Sequence, residues 1–233
     1  DNPGVLPRKI KYGTDNMAKG PAMSREEAVK AIEVGISMVA DLKEKGYNVL
    51  ATGEMGIGNT TTSSAVCSVL LDQSVEKVTG KGAGLTNKDL EHKIEVIRQS
   101  IALNKVNADD PLDVLAKVGG LDIAGMAGCY IGGAALNIPV FIDGFISSVA
   151  ALIAIRLVPE CAPYLFPSHC SNEPAGRMIL DAIGKQPYIL ANMCLGEGSG
   201  AVMGFTIADY AFKAYWELPS FEQTNFGTYE ELN

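Results

Sequence analysis

Histidine is almost missing from this chain: His92 and His169 are the only two in 233 residues. Two imidazoles so far apart, one of them in a charged helical stretch, fall short of the ligand sets that zinc prefers, so no metal is expected. Cysteine is sparse in a different way. The five thiols (Cys67, Cys129, Cys161, Cys170, Cys194) make an odd count without close pairs, and Cys67 and Cys129 lie in apolar helical contexts. That pattern excludes a disulfide framework and suits reduced thiols in the cytoplasm. Positive charge is also short, with 19 Lys and Arg against 27 Asp and Glu, a net charge of −8 and a pI near 4.8. Nucleic acid and anionic membranes are therefore poor partners, and any phosphate must be held by a local arrangement of donors. No uncharged apolar run is long and glycine-poor enough to span a bilayer, and no signal peptide, repeat or low-complexity tract is visible. An initiator methionine is lacking as well; Asp1 opens on a Pro/Gly segment, which points to a processed or incomplete chain.

Glycine, by contrast, is plentiful: 25 residues, clustered where apolar runs give way to helical patterns. With 47% hydrophobic and 20% charged residues, the chain reads as one soluble domain with a sizeable core. Residues 1–23 are punctuated by proline and glycine and predict irregular structure. Ser24-Arg25-Glu26-Glu27 is a capping box, and apolar residues recur at helical spacing to about Lys45, with Gly46 as the stop. A strand at 48–52 runs into a glycine turn and a helix over 63–71. Residues 75–79 predict a short strand, ending in the second glycine-rich turn, 80–85. Thr86 and Asp89 frame the start of a helix to Leu103, and Asp110-Pro111 caps another. A small-residue helix over 122–136 suits close subunit packing and with it a homodimer. A β-type run at 139–142 precedes a helix over 147–157, and 187–193 predicts one more strand before a helix to about Trp216. The expected fold is α/β: a Rossmann-like parallel sheet flanked by helices, with a small helical subdomain formed by the chain termini. Residues 24–216 would make the α/β domain and 217–233 an acidic, exposed tail. Such sheets bind ligands beyond the carboxyl ends of their strands, at a switch in strand order.

The most informative stretch is Gly53-Glu54-Met55-Gly56-Ile57-Gly58-Asn59-Thr60-Thr61. A glycine turn at a helix N-terminus lets bare N–H groups approach an anion. The spacing nearly spells a nucleotide-triphosphate loop, but Asn59 stands where the lysine belongs and Glu54 would repel a triphosphate. One phosphate, with a carboxylate nearby for other work, fits better. Glu54 and Glu197 each sit between glycines, where a carboxylate is either a general base in a cleft or a helix cap. Lys93 lies on a helix face shared with Leu90, Ile94 and Ile97, and either neutralises a phosphate or is solvated. Lys81, inside a glycine turn, is a second cationic candidate with the same two readings. Asp143 follows a buried run and would either meet a ribose or an oxocarbenium-like centre, or cap the next helix. The polar turn around His169 reads as a phosphate or ribose contact rather than a nucleophilic set, because no Gly-x-Ser-x-Gly elbow occurs.

Taken together the motifs resemble one family, the nicotinate-nucleotide:dimethylbenzimidazole phosphoribosyltransferases of cobalamin synthesis. The resemblance rests on 53–61, on 13–23, 80–85, 119–133, 139–146 and 196–200, and on Ser168-His169-Cys170-Ser171-Asn172-Glu173. It implies transfer of the phosphoribosyl group of nicotinate mononucleotide to a benzimidazole-type base, with inversion and no cofactor. It implies Glu197 as the base, Glu54 and Lys93 in the active site, and Gly56, Gly58, Asn59, Gly84, Ser171 and Gly196 around the substrate. It also implies a dimer. Members of that family carry roughly another third of chain ahead of the Gly13 motif, with part of the base pocket. They usually have histidine where Arg177 follows Gly176. The alternative is a nucleotide-binding subunit that needs a partner to complete its site.

Overall fold

Three short parallel strands form the middle of the computed structural model, which describes residues 5–224. They are β1 (Leu50–Ala51), β2 (Val140–Ile142) and β3 (Leu165–Pro167), side by side in that order. Leu50 pairs with Val140, and Val140 with Leu165. All three residues of β2 are buried, as the central strand of a covered parallel sheet requires. Because the strands follow chain order, the expected switch in strand order does not occur among the described residues.

The connections are helical. α1 (Arg25–Glu44) precedes β1, and its capping box is present in full. Gly46, at φ 87°, ends it in the left-handed conformation that glycine adopts freely. Between β1 and β2 run α2 (Asn59–Leu70), α3 (Val75–Val78), α4 (Asn87–Asn104), α5 (Pro111–Val118) and α6 (Leu121–Ala135). Then α7 (Phe145–Leu157) and a 3-10 turn (Pro159–Tyr164) lead to β3, followed by α8 (Gly176–Ala182) and α9 (Ser199–Glu217). Thr86 and Asp110 cap α4 and α5 through their side chains, as their spacing predicts. The terminal helices pack on central elements, α1 on α6 and α9 on β2. Residues 1–4 and 225–233, and with them the ends of the expected N-terminal segment and tail, lie outside the described residues.

Four expectations need correcting. Residues 75–79 form helix α3, not a strand: Val75 and Val78 are both buried, a helical spacing that alternation along a strand cannot give. Of 187–193, only Ile189 pairs, in a single parallel bridge with His169; Pro187 has no N–H to extend the ladder. Helices α2 and α7 begin earlier than expected, at Asn59 and Phe145. The small residues of α6 face α1 within the same chain. A methyl group on Gly128 would stand 2.0 Å from Ile32 O, and one on Gly35 2.0 Å from Gly125 O. That surface is consumed by the helix pair and is not free for a second subunit. Among the described residues, no helix is long and apolar enough to cross a membrane.

Candidate active site

The turns that follow β1, β2 and β3 converge with the 194–197 bend on one cleft of about 400 Å³, within the range of small-molecule sites. Thr52, just past β1, anchors the first turn. Its hydroxyl lies 2.6 Å from the Tyr130 hydroxyl, which donates to Ser147 O at 3.1 Å. Gly53 and Gly198 then meet backbone to backbone: a methyl on Gly53 would fall 2.6 Å from Gly198 N. Glu197 N donates to Glu54 O at 3.0 Å, tying the two glutamate-bearing turns together.

The two carboxylates differ in their surroundings. Glu54 is half-buried, and its Oε2 accepts from Gly56 N at 2.6 Å and from Asn59 Nδ2 at 2.7 Å. Burial pushes its pKa above the usual carboxylate value, against the opposing pull of those donors. The sequence alone left Glu54 without a partner; Asn59 supplies one. Glu197 is exposed to the cleft and makes no side-chain hydrogen bond among the described residues. It sits at φ 59° between Gly196 (77°) and Gly198 (79°), a left-handed run that strains a residue with a Cβ.

Three helix N-termini, those of α2, α7 and α9, lie at or beside the cleft and are treated differently. That of α2 has Gly58 as its N-cap, without any side-chain cap. That of α9 is claimed by Asp143, whose carboxylate accepts from Gly200 N at 2.8 Å, Ala201 N at 3.1 Å and Gly198 N at 3.1 Å. Those of α2 and α7 are open to an external anion; α7 starts from Gly144, also without a side-chain cap, and Gly144, Phe145 and Ile146 line the cleft. Asp143 is 1% exposed and does not line the cleft; Gly144 does. It caps a helix, as one reading expected, but α9 rather than the helix that follows it.

Lys93 is buried beneath the cleft. Its Nζ donates to Thr60 Oγ1 and Gly80 O, each at 3.0 Å. Burial lowers its pKa and raises that of Glu173, and each charge partly restores the other. Glu173 lines the cleft, as do Thr60, Gly82, Ala83, Phe145 and Cys194. Sequence reasoning named the Glu173 turn without giving that carboxylate a place, and its spacing from His169 and Ser171 was the available signal. Ser171 Oγ accepts from Glu173 N at 3.3 Å, which leaves its own proton for a ligand.

Of the expected residues, Glu54, Gly56, Ser171, Gly196 and Glu197 line the cleft together. Gly58, Asn59, Gly84, Lys93 and Asp143 do not line it. Asn59 bridges Glu54 and Asp122 instead, its Nδ2 2.8 Å from Asp122 Oδ2. No group of three or more His, Cys, Asp or Glu side chains could hold a metal ion among the described residues.

The chain is similar along its whole length to known proteins. A nicotinate-nucleotide–dimethylbenzimidazole phosphoribosyltransferase of Ruminiclostridium cellulolyticum is 56% identical over 232 residues, which is all of this chain and 66% of that protein. One of the same name from Acetivibrio thermocellus is 51% identical over 230 residues, 99% of this chain and 66% of that protein. The chain thus spans a little under two thirds of the length of these relatives. The crystal structure of CobT from Thermus thermophilus superposes with a TM-score of 0.91 at 35% identity, over 97% of this chain and 68% of that one. The family model described as phosphoribosyltransferase matches residues 1–226, and this chain belongs to that phosphoribosyltransferase family.

Proposed function

We propose that this site transfers the phosphoribosyl group of nicotinate mononucleotide to dimethylbenzimidazole or a related base, giving α-ribazole 5′-phosphate and nicotinate. One observation carries the reading: an uncapped helix N-terminus and two carboxylates on neighbouring glycine turns open into a single cleft. The 5′-phosphate would take the free N–H groups of α2, the Ser171 hydroxyl and the field of the Lys93 ammonium behind Thr60. Nicotinate leaves readily because departure neutralises its pyridinium ring, so no strong acid is needed. The incoming azole nitrogen attacks the anomeric carbon from the opposite face. The proton on the other ring nitrogen passes to Glu197, while Glu54 supports positive charge on the ribose.

Incubating the chain with both substrates should yield α-ribazole phosphate, and Glu197→Gln should remove that activity while leaving mononucleotide binding in place. Full turnover by Glu197→Gln would discard the assigned base. A second reading, a nucleotide-binding chain that turns over only with another polypeptide, is favoured by exposed apolar residues at the cleft rim. Met55, Ile57 and Leu195 are 67%, 74% and 75% exposed. Calorimetric binding without product would support it. We also read the protein as a cytoplasmic homodimer. With the α6 face used internally, the apolar surface of α9 is the candidate interface, and light scattering in solution tests it.

A further inference from the structure

Ser168 has one hydroxyl proton and two neighbours. Its Oγ lies 2.7 Å from Ile142 O, which can only accept, and 3.0 Å from His169 Nδ1. The Ser168 proton therefore goes to the carbonyl, and His169 Nδ1 must be the donor to Ser168 Oγ. In the neutral ring that leaves Nε2 as a bare acceptor. No other side-chain hydrogen bond to His169 occurs among the described residues, although the residue is only 3% exposed and lines the cleft. Nε2 is also absent from the polar atoms sealed away from solvent without a partner, so it opens into the cleft. Gly144 keeps that edge clear: a methyl there would stand 3.6 Å from Nε2 and 3.7 Å from Cε1. Burial lowers the pKa of the ring and so favours its neutral form, an effect that the Asp143 charge partly offsets.

A bare acceptor cannot bind a phosphate oxygen, which is an acceptor too. It needs a donor, and on a nucleotide bound with its phosphate at α2 the available donors are the ribose hydroxyls. We propose that His169 is a ribose-binding residue, its Nε2 accepting from the 2′- or 3′-hydroxyl of the mononucleotide, with Ser168 fixing the tautomer that makes this possible. The inference rests on the proposed substrate. It divides the cleft by polarity: donors at the phosphate end, an acceptor at the sugar, carboxylates at the reacting carbon and base.

Calorimetry on the full chain with nicotinate mononucleotide and its 2′-deoxy and 3′-deoxy analogues tests this. The wild type should bind one deoxy analogue about tenfold more weakly than the parent, the size of one neutral hydrogen bond. In His169→Ala, with its fold checked by circular dichroism, that discrimination should shrink to near unity. Equal binding of all three ligands by the wild type, or undiminished discrimination in His169→Ala, overturns the inference and leaves the substrate assignment standing. No binding of the parent mononucleotide removes both. If His169→Ala does not fold, nitrogen-15 spectra of the wild type decide, since only two histidines contribute. His169 should show a protonated Nδ1 and an unprotonated Nε2 that moves on ligand addition, and a protonated Nε2 refutes the proposal.

Discussion

Replacing Asp143 by asparagine should uncouple the Glu197 bend from the sheet. In the native chain Oδ1 accepts from Gly200 N and Ala201 N, and Oδ2 from Gly198 N. An asparagine oxygen can keep the first pair, but its amide then points two donors at the Gly198 N–H. One charge-assisted bond is lost, one part-buried donor is stranded, and the negative charge at the α9 N-terminus disappears. A stranded donor costs about 1–3 kcal/mol, and a charge at a helix end is worth about 0.3–2 kcal/mol. Together they give a loss of about 2–3 kcal/mol. For a chain of 233 residues that corresponds to a fall in Tm of roughly 5–10 °C. Asp143→Ala strands all three donors and should cost more. Because Gly198 directly follows Glu197, the bend loses its anchor, and turnover should fall by about ten- to a hundredfold through misplacement of the base. Thermal melts followed by circular dichroism read the first effect, and steady-state rates with both substrates read the second. A Tm within about one degree of wild type would refute the capping argument. A destabilised Asp143→Asn with unchanged kcat would refute the positioning argument.

Gly35→Ala should destabilise by about 3 kcal/mol, because the new methyl meets Gly125 O at 2.0 Å and Cys129 N at 2.7 Å and backbone cannot step aside; urea unfolding measures it. Glu197→Gly should lose turnover yet gain about 1 kcal/mol of stability by relieving the left-handed strain, read as a higher urea midpoint. The folded pKa of His169 lies below its ordinary 6.5, so the unfolded chain binds its proton first. Its contribution is complete above about pH 6.5 and is lost as pH falls through the folded value. Glu54 and Glu173, with raised values, act in the opposite sense as acid is added. The His169 part is therefore the difference between wild type and His169→Gln, which should narrow on acidification from pH 7; a constant difference would count against burial as the cause.

Much of this fold could be read from the chain because its signals are local. A capping box, an Asp-Pro start and the Thr86 cap each act within one helical turn, and all three operate as their spacing predicts. The misreadings arose where a distant partner decides. Val75 and Val78 look like a strand until α2 and α4 cover one side of them. The glycines of α6 look like a subunit interface until α1 lies across them. The site follows the same division. Glu54, Gly56 and Glu197 could be found because glycine turns announce themselves. That Asp143 serves α9 could not, since 55 residues separate it from Gly198 and nothing at either end marks the pairing.

The helix N-termini around the cleft show why that pairing bears on function. A glycine-capped helix start favours an anion, and three stand at or beside the cleft, after Gly58, Gly144 and Gly198. With all three open, a monophosphate would have three competing places to rest, one of them against the bend that carries Glu197. Asp143 fills the α9 start with a carboxylate that cannot leave, making that end repulsive to a further anion. Lys93, held under Thr60, adds positive charge to the first. One buried aspartate thus keeps the Glu197 end clear for a neutral base, while the lysine favours α2 for the phosphate. An Asp143 variant that bound the mononucleotide as tightly as wild type, with its phosphorus-31 resonance unmoved, would show that the choice of phosphate site is made elsewhere.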